Sequence, residues 1–302
     1  MDYNDINIIP SNDKAIIPSL ITSFDDDPSY FSRSSFLTRL NSKQVTIFLL
    51  EVNKSLTAYC LCETANDVFH MYRFKFKDGL SYNYFFELVS FVYNFGSTQN
   101  VHYFRCSRDF NPSSELQNRF STSGFSLHER FFMTLHLSAV HFEEPSLDEQ
   151  YSSSSAISDN LDTIATCIYE SVKDTIDALL YPEYHTVESI SHLFGLKDST
   201  NNEYDNQASI LLFSNNTVVG LNLVGFDGEE KAYISQLAIH PDHRRSQLGT
   251  YLMIKSLISL KQMGKKVVYL HVSSGNPAQK LYESVGFKIK ESRWVILKQY
   301  DH

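Results

Sequence analysis

The chain has 302 residues, of which 42% are hydrophobic, 14% aromatic and 20% charged, with a formal net charge of -9. This length suggests about two domains, and the composition is that of a globular protein whose cores are rich in Phe and Tyr. The acidic balance argues against nucleic acid as a partner and is compatible with a cationic substrate, while no apolar run approaches the roughly 18 residues of a membrane span.

The N-terminal stretch "MDYNDINIIPSNDK" is acidic and polar, unlike a signal or transit peptide, which points to the cytoplasm. A specialised secretion route would leave no mark of this kind. The four cysteines Cys60, Cys62, Cys106 and Cys167 are scattered, with no second Cys or His pair at metal-ligand spacing. Cys60 and Cys62 share one strand face, which suits packing, and reduced thiols without a metal are the expectation.

In the first half, "VTIFLLEVNKSLTAYCLCE" reads as a strand pair and "VFHMYRFKFKDG" as a strand and turn. "LSYNYFFELVSFVYNF" reads as a helix and "VHYFRCS" as a strand. The stretch His141–Asn160 is acidic, holds Pro145 and four consecutive serines, and shows no periodicity, so it reads as a linker. This divides the chain into 1–140, the linker 141–160, and 161–302.

In the second half, Ile164, Ile168, Val172, Ile176 and Leu179 recur at helical spacing and predict one helix over 161–180, capped near Ser158 or Asp159. "TVESISHLFGL" predicts a shorter helix stopped by Gly195. "ASILLFSNNTVVGLNLVGF" reads as a hairpin around Asn-Asn-Thr, and "KAYISQLAIH" as a third strand. Leu248 to Met263 is helical, "KVVYLHV" is a strand, "NPAQKLYESVGF" a short helix begun by Pro277 and ended by Gly286, and "SRWVILKQY" a last strand. The order defines a mixed α/β unit.

Between the third strand and the long helix lies "HPDHRRSQLGTYLM" (His240–Met253). A polar turn leading from a strand into a helix can cradle a phosphate, because the helix N-terminus presents unpaired N–H groups. Such loops usually carry more than one glycine; this one has only Gly249.

Three segments together resemble the GCN5-related N-acetyltransferases (the GNAT superfamily), from about Ala208 to Tyr300. "ISQLAIHPDHRRSQLG" looks like the family's strand and Pro-x-x-Arg-x-x-Gly-x-Gly acetyl-CoA loop, "VVYLHVSSGN" like its next strand with a terminal Asn, and "NPAQKLYESVGF" like its Asn…Leu-Tyr-x-x-x-Gly-Phe segment. Arg244 and Gly249 match the loop pattern, whereas Gln247 stands where the first glycine is usual. If that position is left-handed, Gln costs about 1 kcal/mol but keeps its own N–H, so weakened or reshaped cofactor binding is the expectation.

The resemblance implies two tandem GNAT-like α/β domains, acetyl-CoA as acyl donor, and an amine acceptor that is a small molecule or a protein. It implies that backbone N–H groups of Arg245, Ser246, Gln247, Leu248, Gly249 and Thr250 face the pyrophosphate, with Arg244 and Arg245 as nearby positive charge. It further implies that the pantetheine arm pairs along Leu237, Ala238 and Ile239, that an N–H near Leu237 or Ala238 receives the oxyanion, and that Asn276 contacts the pantetheine amides. Tyr282 is the candidate general acid, since a phenol stays protonated at neutral pH, and simple packing is its alternative. His271 is the candidate base; a hydrogen-bonded core histidine is its alternative, and Tyr233, Ser235, Glu188, His192 or ordered water are rivals. Glu183 and Glu188 are candidates for acceptor recognition.

The first half repeats the element order, and "LQNRFSTSGF" aligns with "AQKLYESVGF". There, Phe120 stands for Tyr282, Arg105 for His271, and no Arg-x-x-Gly-x-Gly loop follows "MYRFKF". Residues 1–140 therefore read as a degenerate GNAT-like domain. The expected activity is N-acetyl transfer by the C-terminal domain; the alternative is a non-catalytic acyl-CoA-binding or protein-interaction module.

Overall fold

A computed structural model describes residues 6–11, 45–65, 67–76, 82–108, 112–155, 160–195 and 204–300. The chain forms two compact units, residues 1–127 with 294–302 and residues 128–293.

In the first unit, β1 (Ile6–Ser11), β2 (Val45–Val52), β3 (Ser55–Ala65) and β4 (Val68–Phe76) run antiparallel in sequence order. A helix α1 (Tyr82–Gly96) carries the chain over to β5 (Tyr103–Arg108), which lies parallel to β4. The sixth strand is Trp294–Gln299, the end of β12 (Lys288–Gln299), antiparallel to β5. The short helix α2 (Ser114–Thr122) packs beside α1. The high aromatic content is spent here: Phe48, Phe69, Phe85, Phe86, Phe104, Phe120 and Phe125 form one buried core. Tyr93 stacks on Tyr300 at 4.7 Å, fixing the end of β12.

The second unit repeats this order. Strand β7 (Ser152–Ser154) pairs with β8 (Ile210–Ser214), then follow β9 (Thr217–Asp227), β10 (Lys231–Ile239), β11 (Val267–Ser273) and β6 (Ser126–His136). Among the described strand pairs of this unit, β10–β11 is parallel and the others are antiparallel. The helices are α3 (Leu161–Val172), α4 (Ile176–Leu180), α5 (Val187–Leu193), α6 (Leu248–Gln262) and α7 (Ala278–Ser284). Leu211, Leu221 and Leu223 pack with α3 and α5, whereas Ile210, Leu212 and Val219 pack with α6. The sheet is thus covered on both faces, so Val218–Gly225 of β9 is buried without a break rather than alternating. Asn215 (φ 49°) and Asn216 (φ 63°) make the hairpin turn, as two left-handed residues should.

The two halves of the sequence are repeats in detail. The N–H of Phe125 donates to the carbonyl of Phe120, and that of Phe287 to Tyr282, both at 3.0 Å. Gly124 (φ 80°) and Gly286 (φ 105°) supply the left-handed residue each turn needs.

Three sequence expectations are corrected. The division at 140 and 161 gives way to one at 127 and 294, because β6 pairs with β11 and the end of β12 pairs with β5. The segment 141–160 is no free linker over its described part. Lys255 pairs with Glu144, and three of the four serines form β7; just before the segment, Lys261 Nζ donates to the Val140 carbonyl at 2.7 Å. The single helix over 161–180 is broken at Lys173–Thr175. There the N–H and Oγ1 of Thr175 both donate to the Val172 carbonyl, at 2.8 and 2.7 Å, closing α3 before α4 begins. The caps Ser158 and Asp159 lie outside the described residues; Asn160 occupies the N-cap.

Gly225 sits opposite Tyr233 in the β9–β10 register, and a Cβ there would collide with the Tyr233 ring. Gly225→Ala should lower stability by about 1–3 kcal/mol, the usual range for overpacking, measured by urea unfolding.

Candidate active site

β10 and β11 are paired only from Lys231–Val267 to Tyr233–Tyr269. Beyond that point β11 continues to Ser273 along β6, and β10 continues to Ile239 along β9 with a register shift between Ile234 and Gln236. The extra residue, Ser235, is a bulge, which bends a strand and raises its twist. The two strands therefore splay, and a cavity of about 560 Å³ opens at the split. Its walls are Ile234–Ile239 on one strand and Leu270, His271 and Val272 on the other.

Leu237, Ala238, Ile239, Arg244, Arg245, Gln247, Leu248, Gly249, Thr250, His271, Asn276 and Tyr282 all line this one cavity. Ser246, though in the same loop, is not among the lining residues. The loop begins with a 3-10 turn at Pro241–His243, then takes Arg245 (φ 65°) and Gln247 (φ 57°) through left-handed conformations. The first backbone bond of α6 runs from the Tyr251 N–H to the Gln247 carbonyl at 3.0 Å. The N–H groups of Leu248, Gly249 and Thr250 precede it, so they are the free donors of a helix N-terminus, with the macrodipole behind them. This is a binding place for an anion such as a pyrophosphate.

The two glycine positions of the loop have separate physical roles. Gln247 occupies the left-handed one and bears its strain. Gly249 has ordinary φ and permits close packing, since a Cβ there would stand 2.9 Å from Leu281 Cδ1. Arg244 spends its guanidinium on the protein itself: Nε donates to the Ile239 carbonyl at 3.2 Å and Nη2 to the Ser171 carbonyl at 2.6 Å. It braces the loop against the end of α3, and Arg245 is exposed. Asn276 is also engaged internally, with Nδ2 donating to Asp177 Oδ2 at 2.7 Å and Oδ1 accepting from the Ala278 N–H at 2.9 Å.

Tyr282 is 7% exposed. Burial, then the nearby Asp177 carboxylate, push its phenol well above the ordinary range, with Arg130 opposing. It therefore keeps its proton at any working pH. His271 is pushed down to about 3 by burial, and further by Arg293 and Arg130. A base works best with a pKa near the operating pH, so this neutral imidazole is a poor proton acceptor, contrary to the sequence expectation. Its ring packs on Phe132 at 5.1 Å. Of the rival bases, Ser235 lines the cavity, whereas Tyr233, Glu188 and His192 do not. Glu183 is buried, 5% exposed, and is not a lining residue either.

Sequence reasoning missed Asp177, Arg130, Gln236 and Tyr184, all lining residues. Asp177 was hidden in a helix that seemed continuous, although Asp174-Thr175 just before it is a capping signal. Arg130 lies on β6, which the sequence assigns to the other domain. Among the described residues no group of three His, Cys, Asp or Glu is placed to hold a metal. No helix among them is long and apolar enough to cross a membrane.

A sheet split after a short parallel pairing, with a helix N-terminus at its mouth, leaves one open strand edge and one set of free N–H donors facing the same cavity. Residues 174–287, within the second unit, match the model of the Acetyltransferase (GNAT) family. A stretch of 71 residues is 48% identical to the Cysteine-rich protein 2-binding protein of Mus musculus and of Homo sapiens, covering 24% of this chain and 8% of theirs. Among solved structures, a GCN5-related N-acetyltransferase from Sphaerobacter thermophilus is 16% identical with TM-score 0.66, covering 97% of this chain and 95% of that one. A tandem GNAT protein from the clavulanic acid biosynthesis pathway is 10% identical with TM-score 0.62, covering 98% of both. The fold of the whole chain is that of a tandem GNAT protein.

Two measurements test the site. Between pH 6.5 and about 3 the folded protein binds fewer protons at His271 than the unfolded chain. Stability contributed by the neutral ring is thus complete above pH 6.5 and is lost as pH falls through that window. His271→Asn should flatten the fall in melting temperature over that range. Gln247→Gly should raise stability by up to about 1 kcal/mol by relieving a left-handed residue, seen in the same melts.

Proposed function

We propose that the second unit transfers an acetyl group from acetyl-CoA to a primary amine, on a protein, a peptide or a small cation. The observation that carries this reading is the meeting, in one cavity, of a splayed strand edge, an anion-binding helix N-terminus and a phenol held in its protonated form.

In this reading acetyl-CoA supplies the activated acyl group. The edge of β10 freed at Ser235 pairs with the pantetheine arm as an added strand would. The N–H groups of Leu248, Gly249 and Thr250 hold the pyrophosphate, with Arg245 as exposed positive charge and Arg244 as the brace of the loop. An N–H at Leu237 or Ala238 donates to the acyl oxygen as charge develops there. The amine nitrogen bonds to the acyl carbon, the carbon–sulfur bond breaks, and Tyr282 gives its proton to the departing thiolate. The amine proton leaves through water, with Ser235 and Gln236 as polar lining groups, and restores the phenol. The first unit has no part in this chemistry: Phe120, the counterpart of Tyr282, is fully buried and lacks the hydroxyl.

A second reading is a protein-interaction or acyl-CoA-binding module without turnover. The name of the Cysteine-rich protein 2-binding proteins and the strained Gln247 favour it. Incubation with acetyl-CoA and a panel of amines, followed by thiol release, separates the two. Turnover supports the first, and Tyr282→Phe should then lower kcat by at least about tenfold, the low side of general-acid effects, with acetyl-CoA affinity little changed. An unchanged kcat removes Tyr282 as the acid; tight calorimetric binding of acetyl-CoA without turnover on any amine selects the second reading.

A further inference from the structure

Among the described residues lining the cavity, Asp177 is the one carboxylate. Its two oxygens are fixed from the end of β11 and the turn after it: Oδ1 accepts from Ser273 Oγ at 2.6 Å and Oδ2 from Asn276 Nδ2 at 2.7 Å. Ser273 is fully buried, and Asn276 is itself held by the Ala278 N–H. Both donors are neutral, so they set the plane of the carboxylate without cancelling its charge. Each oxygen receives one bond from them, and a carboxylate offers about four lone-pair sites, so acceptor capacity remains towards the cavity. The position is made by the helix break at Lys173–Thr175, which turns α4 and brings Asp177 to the cavity instead of continuing α3. The opposing charge nearby is Arg130, whose guanidinium lies 4.7 Å from the Tyr181 ring centre. Arg244, also lining, is committed to two carbonyls.

We infer that Asp177 receives the ammonium group of the acceptor, and so selects amines that are protonated in solution. This rests on the acetyltransferase reading above and adds to it the class of acceptor and the residue that chooses it. The seated ammonium loses one proton to cavity water. The freed nitrogen then bonds to the acyl carbon, the carbon–sulfur bond breaks, the thiolate takes its proton from Tyr282, and the second proton shed by the nitrogen returns through water to the phenolate. Ser273 and Asn276 are positioning residues that act through Asp177.

The test uses the full chain at neutral pH with saturating acetyl-CoA. It compares butylamine, which is protonated, with trifluoroethylamine, which is largely uncharged. Asp177→Asn should lower the ratio of kcat/KM for the two amines by about tenfold, the weight of one charge-assisted hydrogen bond, and mainly through KM. Ser273→Ala should shift the ratio in the same direction by less, and it carries the test if Asp177→Asn does not fold. Equal losses on both amines would overturn the inference, as would a preference for 4-aminobutanoate over butylamine, which would give Arg130 the choice of acceptor. Wild-type protein that binds acetyl-CoA but acetylates neither amine, nor any other, would instead bring down the acetyltransferase reading itself.

Discussion

The site depends on one failure of pairing. Two parallel strands, β10 and β11, hold each other for three residues and then part, because Ser235 adds one residue to β10 that β9 does not match. An unpaired strand edge inside a protein is normally costly, since buried N–H and C=O groups need partners. It persists here because both strands are held from their far sides, β10 by β9 and β11 by β6. The continuously buried run of β9, covered by helices on both faces, gives the bulged strand a stiff support. A strand edge that is rigid and unpaired can then accept an extended ligand without rearrangement.

The same burial acts on the two candidate catalytic groups in opposite directions. Removing water disfavours whichever form is charged. For Tyr282 that is the phenolate, so its proton is retained; for His271 it is the imidazolium, so the ring stays neutral. Arg130 pushes both downwards, opposing burial at the tyrosine and reinforcing it at the histidine. One environment thus favours the neutral form of both rings, a protonated phenol and an uncharged imidazole. Residue type and spacing suggested His271 as a base; burial beside Arg293 and Arg130, which favours the neutral ring, could not be read from either.

The parts of the fold legible in the sequence were those fixed by local chemistry. The Asn215-Asn216 turn, the stop at Gly195 and the Gly286-Phe287 end of α7 each follow from backbone requirements that a few neighbouring residues satisfy. The loop, the split strand and Tyr282 were likewise legible from motifs, and they do meet in one cavity. What was hidden is non-local. Nothing local to "SLHERFFMTLH" names the strand it pairs with, β11, so Arg130 was read into the first domain. Apolar spacing through Ile176 and Leu179 looked helical across Thr175, although Leu179 is exposed and Ala178 and Leu180 are the buried residues of α4, and Asp177 was lost in the run. The acidic serine segment reads as a linker by composition; Glu144 nevertheless pairs with Lys255, and the backbone of Ser152–Ser154 with the edge of β8.

The internal repeat separates what holds the fold from what could do chemistry. The turn after α2 and the turn after α7 have the same backbone bonds, the same left-handed glycine and the same following Phe. They differ at Phe120 and Tyr282, one hydroxyl apart. In the first unit that ring packs against Phe85, Phe86 and Phe125 at 5.0–5.8 Å, a purely apolar neighbourhood. In the second unit the ring makes the same kind of edge contact with Phe287 at 6.0 Å, but its hydroxyl lies in the field of Asp177 and Arg130. The aromatic ring is therefore demanded by packing in both copies, whereas the hydroxyl is demanded by neither turn nor core. A phenol kept where a phenyl ring would pack equally well needs a reason outside stability, and the cavity beside it is where that reason lies.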